Sequence, residues 1–207
     1  EGGDILLQVG TSSTDSGGDV IVSGGDSTPL TGGSISVTSG QGVESSSGAF
    51  VVRSVDAGTK GVSGMLAFVS GTTSSGTSGS ITMATGKAAN GKGGDIVLSV
   101  GSGNTADGGD VLASAGEISD KTGGAISLTG GYGSTTSSGS IVFQTSNAGN
   151  VGTSGILLFA SGTTSSGASG SFSIQTGAAT GGEGGDILLQ VGTSSTDSGG
   201  DVIVSGG

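Results

Sequence analysis

A glycine-led unit of fifteen residues repeats along the whole chain and limits most strongly how this chain can fold. The steps between unit starts are fifteen residues, except for two steps of sixteen, from Gly48 to Gly64 and from Gly139 to Gly155. Six units make a block of 91 residues, and residues 1–25 return unchanged two blocks later as residues 183–207. A unit this short can bury an apolar face only against its neighbours. The fourteen start glycines are Gly3, Gly18, Gly33, Gly48, Gly64, Gly79, Gly94, Gly109, Gly124, Gly139, Gly155, Gly170, Gly185 and Gly200.

Each start glycine is followed by a short apolar segment, whose residues we number from the glycine as +1, +2 and so on. Positions +2 and +4 are apolar in all fourteen units, and this alternation is typical of a β-strand with one face turned inward. Glycine returns at +7 in twelve units, which indicates a corner or a close approach of two backbones. The inward positions predict a core ladder that includes Ile5, Leu7, Val20, Val22, Ile35, Val37, Ile96 and Leu98.

Composition by itself leaves two alternatives, an unstructured tract or a repeat architecture. Glycine supplies 49 of 207 residues, the net charge is −11, and large apolar side chains are few. The apolar residues concentrate in three adjacent positions of every unit, which favours the repeat architecture over disorder.

The sequence therefore predicts an all-β fold, a parallel β-solenoid with coils of about fifteen residues and six coils per 91-residue block. Residues 1–207 form one continuous repeat array in this interpretation. The first six-coil block spans 3–93, the second spans 94–184, and 185–207 start the next 182-residue repeat. We expect the array to continue in a longer fibre.

Position +3 is also apolar in most units, and by alternation it points away from the core. A continuous apolar stripe on a surface usually marks an interface. We therefore predict lateral assembly, with another strand of the fibre or a distant part of the same polypeptide covering the stripe; scattered surface aliphatics are the alternative. The predicted assembly interface comprises Leu6, Ile21, Val51, Val97, Leu112, Val142 and Leu158.

Several function classes are excluded or disfavoured by what the chain lacks. It has no His and no Cys, so it has no Ser-His-Asp triad, no disulfide and no zinc site built on those residues. The chain contains five basic and sixteen acidic residues, and this excess of negative charge argues against nucleic acid as a partner. No apolar run is long enough to span a membrane. We expect neither catalytic residues nor a cofactor.

Aspartates in the recurring Gly-Gly-Asp motif are the one candidate metal site. They fall on neighbouring units, where stacked carboxylates repel and a bound Ca²⁺ would relieve the repulsion; ordinary solvated aspartates are the alternative. Clusters of Ser and Thr at 11–14, 72–75, 134–138 and 163–166 would carry O-linked glycan if the chain is secreted. The candidate calcium ligands are Asp4, Asp19, Asp95, Asp110, Asp186 and Asp201.

The regular units, with a single one-residue insertion per block and no long loop, favour a structural protein over an enzyme. We predict a structural subunit of a long extracellular fibre or surface appendage. The alternative is a binding module, either a surface adhesin or an ice-binding solenoid. Position +8 carries no uniform column of threonine, which disfavours ice binding.

The run GGxIxVxSGxxxSSG carries a family resemblance. It is seen in GGSISVTSGQGVESSSG at 32–48, in GSITMATG at 79–86 and in GAISLTGGYGSTTSSG at 124–139. In this respect the whole chain resembles the Ser/Gly/Thr-rich tandem-repeat surface proteins of marine algae such as diatoms, and more loosely the stalks of bacterial filamentous adhesins. The resemblance implies secretion and a fibrous or adhesive role, with location outside the cell or on its surface.

Overall fold

A computed structural model describes residues 2–206, and within that range it contains neither a helix nor a strand. The chain divides into two units, Glu1–Ser99 and Val100–Gly207. The predicted parallel β-solenoid is therefore wrong, because the apolar segments of residues 2–206 do not pair into a sheet.

Backbone hydrogen bonding shows why no sheet is present. Over residues 2–206, each backbone-to-backbone hydrogen bond joins a start glycine to the +7 glycine eight residues before it, and none joins the apolar segments of successive units. A parallel ladder needs evenly spaced bonds along both strands. Alternating apolar residues are compatible with a strand but do not supply a partner for its N–H and C=O groups. The bonds run from Gly33 N–H to Gly25 O (2.8 Å), Gly48 to Gly40 (2.9 Å), Gly124 to Gly116 (3.0 Å) and Gly139 to Gly131 (2.8 Å).

The chain nevertheless keeps the period of its sequence. Each of the thirteen complete units bends ten to twelve residues after its start glycine, or eleven to thirteen residues after it in the two sixteen-residue units. The only glycines with left-handed φ in residues 2–206 close four of these bends: Gly61, Gly76, Gly152 and Gly167, with φ between 107° and 128°. The bends lie at 13–15, 28–30, 43–45, 59–61, 74–76, 89–91, 104–106, 119–121, 134–136, 150–152, 165–167, 180–182 and 195–197.

Hydroxyl groups at +9 hold several bends. The Thr73 hydroxyl donates to Ser75 O at 2.9 Å and accepts from Ser75 N–H at 3.3 Å, and Thr164 makes the same pair with Ser166. Ser12 Oγ accepts from Asp15 N–H at 3.0 Å. Side chains of Ser and Thr commonly bond to the backbone two or three residues on, and such bonds stabilise turns. These bends therefore form locally, without help from a core.

Six of the start glycines are explained by a close approach. From Gly18 onward, a Cβ atom at each start glycine would meet position +6 or +7 of the preceding unit; at Gly109 it would lie 2.9 Å from Val100 Cγ1. The eleven described glycines at +7 have nothing within 4 Å of such a Cβ and no left-handed φ. The predicted close approach at +7 is therefore not seen, and nothing in the structure explains glycine there. At the unit start the contact is tight, 3.1 Å or less, at Gly18, Gly33, Gly109, Gly124, Gly139 and Gly200, and of ordinary van der Waals length at the other start glycines from Gly48 onward.

No side chain in residues 2–206 is buried, so the predicted core is absent. The core-ladder prediction for Ile5, Leu7, Val20, Val22, Ile35, Val37, Ile96 and Leu98 is wrong, because all eight are exposed. The chain presents 20532 Å² of accessible surface. A compact monomer of 19.0 kDa would present about 8,400 Å² and a fully extended one about 27,500 Å². Two or three large apolar side chains per unit do not offset the entropy of closing a core.

Candidate assembly surfaces

The alternation of the sequence survives as a difference in exposure between positions. In one unit Ile141 is 48% and Phe143 55% exposed, whereas Val142 between them is 76% exposed. The next unit repeats this order with Leu157, Leu158 and Phe159. Side chains at +2 and +4 therefore shield one another in part, and those at +3 stand clear. Apart from the first and last units, where Ile5 and Val204 are more exposed than the +3 residue, the apolar segments have a partly shielded face and a more exposed one.

Three phenylalanines from successive units meet on the partly shielded face. The ring centroids of Phe143 and Phe159 are 6.2 Å apart with the planes at 80°, an edge-to-face pair. Phe159 and Phe172 are 6.1 Å apart with the planes at 21°, a stacked pair. Both geometries are favourable for aromatic rings. The rings line an open groove of about 830 Å³, together with Leu128, Ile141 and Ile174 at +2 or +4 and the polar Ser173 and Gln175.

A second groove of about 510 Å³ occupies the equivalent place one block earlier. Its lining residues Phe68, Ile81, Thr82 and Met83 correspond, at an offset of 91 residues, to Phe159, Phe172, Ser173 and Ile174. In both grooves the +3 residue that reaches the lining carries a hydroxyl group. The 91-residue block is thus repeated in local structure as well as in sequence. We call these two surfaces the large groove and the small groove.

The predicted interface residues at +3 are among the most exposed apolar side chains of the described chain. Their exposed fractions lie between 75% for Val51 and 85% for Leu112. We call this row the +3 stripe. The structure places all seven predicted residues, Leu6, Ile21, Val51, Val97, Leu112, Val142 and Leu158, in the same position of their units and on exposed surface. Lateral assembly through them stays a prediction.

The six candidate calcium ligands are all exposed aspartates at +1. Asp95 pairs with Lys92, whose Nζ lies 2.8 Å from Asp95 Oδ2, and both side chains are mostly exposed. Over residues 2–206 the structure brings together no group of three or more carboxylates that would hold a metal ion. Calcium binding at Asp4, Asp19, Asp95, Asp110, Asp186 and Asp201 remains a prediction without a coordination geometry.

The phenylalanine grooves did not follow from the sequence reasoning. Phe143 and Phe159 stand at +4 of successive units, and Phe172 stands at +2 of the next one. The sequence does contain a signal for this cluster, since three of the five phenylalanines lie in consecutive apolar segments. Aromatic rings that are close together in a fold tend to pack against one another. The contact that each start glycine from Gly18 onward makes with the preceding unit is likewise visible only in the structure.

Residues 2–206 hold no helix with the length and apolar character that crossing a bilayer requires. Comparison of the chain with protein-family models, with curated proteins and with solved structures found no match.

Proposed function

We propose that this chain is a structural repeat segment of an extracellular or cell-surface fibre, and that it works by associating with further copies of itself. One observation carries the proposal: every unit displays large apolar side chains at fixed positions, and none of them is buried in the described part of the chain. Soluble monomers rarely leave contiguous apolar surface exposed on this scale, and such surface is typical of interaction sites. Association would bury what the single chain leaves open.

The regular spacing of these positions supports a structural role over a catalytic one. The apolar segments and the bends recur with the period of the unit, and the two grooves are related by the 91-residue offset of the block. Contacts that repeat along a chain add up, so individually weak contacts give a stable association of two chains aligned in register. An enzyme needs one irregular site with converging polar groups. The two grooves of this chain are instead lined mainly by apolar side chains.

The test is concentration-dependent assembly of the purified chain, followed by sedimentation and by electron microscopy. We expect filaments or layered aggregates of regular width above a critical concentration. The matched comparison is a variant in which Ile21, Val97, Leu112, Val142 and Leu158 are all changed to Ser, the residue that Ser36, Ser127 and Ser173 already supply at +3. This variant keeps the net charge and should stay monomeric. A wild-type chain that sediments as a monomer up to about 1 mM, an affinity weaker than about 4 kcal/mol, would overturn the proposal.

A further inference from the structure

One long segment of the chain contains no charged residue. Residues 122–182 contain no Asp, Glu, Lys or Arg, and the flanking residues Lys121 and Glu183 are charged. The large groove lies wholly inside this segment. A shorter uncharged run, 61–86, contains the small groove one block earlier. Apolar grooves and absence of charge therefore coincide twice, at equivalent places in the repeat.

Net charge decides where two copies of this chain can touch. With a charge of −11, contact between most parts of two copies brings carboxylates together, and such contacts are penalised. Two copies of segment 122–182 meet without any like-charge contact. Within that segment the +3 stripe supplies Val142 and Leu158, which are 76% and 78% exposed. In the run 61–86 the residue equivalent to Leu158 is Ala67, so that run has a groove but only a weak stripe.

We propose that segment 122–182 is the self-recognition segment of this protein, and that its large groove receives Val142 and Leu158 of a second copy. This inference rests on the proposed function and names its contact. The volume of about 830 Å³ lies within the range of about 300–1,000 Å³ in which pockets hold a bound group. The groove is walled by Phe143, Phe159 and Phe172, and aromatic walls pack well against branched aliphatic side chains.

The geometry of the contact determines how the assembly grows. The apolar walls of the groove are side chains at +2 and +4, whereas the apolar residues of the stripe, Val142 and Leu158, stand at +3 and are not among the lining residues. Two different surfaces of one copy therefore meet, each copy still offers a free groove and a free stripe, and the contact is heterologous. Heterologous contacts that do not close give open-ended assemblies. Association should thus continue into a fibre and not stop at a dimer.

The experiment uses three double variants of the full chain, each adding two negative charges. The stripe variant is Val142→Asp with Leu158→Asp. The groove variant is Phe68→Asp with Phe159→Asp, one change in each groove. The control variant is Thr135→Asp with Asn150→Asp, which places the charges in exposed bends of the same segment. Assembly is measured by sedimentation, alone and in equal mixtures.

We expect the stripe and groove variants each to raise the critical concentration at least tenfold, and the control variant to change it less than threefold. An equal mixture of stripe and groove variants should give particles of twice the monomer mass that do not grow further, because one intact groove meets one intact stripe. A mixture that stays monomeric overturns the heterologous contact, because an intact groove and an intact stripe are then both present and do not bind. A groove variant that assembles like wild type also overturns the proposal, because the groove would then not be the contact. A control variant whose critical concentration rises as much as that of the other two variants overturns it as well. If wild type itself fails to assemble, the proposed function fails instead.

Discussion

Gly130 lies against the backbone of Gly139, so close that a Cβ atom at position 130 would stand 2.7 Å from the Gly139 carbonyl oxygen. This approach brings Gly139 N–H within 2.8 Å of Gly131 O and closes the loop between them. The equivalent loop one block earlier is closed by Gly48 and Gly40. Closed loops of this kind are the only backbone-bonded structures in residues 2–206. The close approach at Gly130 is not common to all of them, because the equivalent positions beside the loops of Gly40 and Gly116 carry the side chains of Ser39 and Ala115.

Replacing Gly130 by Ala should open that loop. The added methyl group cannot be accommodated by rotating a side chain, because the atom it meets belongs to the backbone. We expect hydrogen exchange of the Gly139 N–H to speed up about fivefold, which corresponds to a hydrogen bond of about 1 kcal/mol. The matched control is Gly131→Ala, where nothing lies within 4 Å of the new Cβ. Equal exchange rates in the two variants would contradict the steric explanation.

The bend at 74–76 should depend on one hydroxyl group. Thr73→Val keeps the shape of the side chain and removes both hydrogen bonds to Ser75. Exchange of the Ser75 N–H is then expected to rise about two- to fivefold. Thr72→Val, one residue earlier, changes the same chemistry outside those bonds and serves as the control. If Thr73→Val leaves the Ser75 N–H unaffected, the backbone alone sets the bend.

The contacts within the phenylalanine cluster can be followed by NMR through the ring-current shifts that one ring causes in another. In Phe159→Leu both ring pairs are lost, since Phe159 is the member common to them. Proton resonances of Phe143 and Phe172 should move to the positions of isolated phenylalanines. The groove should also lose about 0.5–1.5 kcal/mol of ring–ring stabilisation per pair. Phe50→Leu removes a ring elsewhere and should leave those resonances in place; unchanged resonances in Phe159→Leu would show that the rings are apart in solution.

Assembly should respond to salt and to acid in the same direction. The chain carries −11 at pH 7 and its isoelectric point is about 4.1, so lowering the pH from 7 towards 4.1 protonates carboxylates and reduces the mutual repulsion of two copies. Salt screens the same repulsion, with a Debye length of about 10 Å at 0.1 M. We expect the critical concentration measured by light scattering to fall under both conditions. A rise on adding NaCl would indicate assembly by attraction between charges.

The residues of the +3 stripe should contribute unequally to assembly. Val97 and Leu112 each follow an aspartate by two residues, Asp95 and Asp110, whereas Val142 and Leu158 lie in the uncharged segment. Introducing Asp at both Val97 and Leu112 should therefore raise the critical concentration only two- to threefold, compared with at least tenfold for Val142→Asp with Leu158→Asp. Ser36→Asp with Ser127→Asp controls for added charge at +3. If the two pairs of substitutions raise the critical concentration equally, the interface extends over the whole stripe and is not confined to the uncharged segment.

Local properties of this chain were predictable from its sequence, and pairing was not. The bends recur with the period of the start glycines, and the exposure of Val142 between Ile141 and Phe143 follows the alternation of the apolar segment. The prediction of a core ladder that includes Ile35 and Val37 was wrong, because burial needs a second layer of chain that packs against the first. Alternation states which side chains share a face, and it does not state what covers that face.

The sequence by itself determined the period, the equivalence of residues 91 positions apart, the alternation of apolar side chains and the uncharged segment 122–182. The tertiary structure alone decided that the apolar segments stay unpaired, that an added Cβ meets a tight contact at six of the start glycines and at none of the described +7 glycines, and that Phe143, Phe159 and Phe172 meet. The physical reason is the range of the interactions. Bends and alternation depend on neighbours in the chain, whereas ladders, close approaches and ring contacts depend on groups that only the folded path of the backbone brings together.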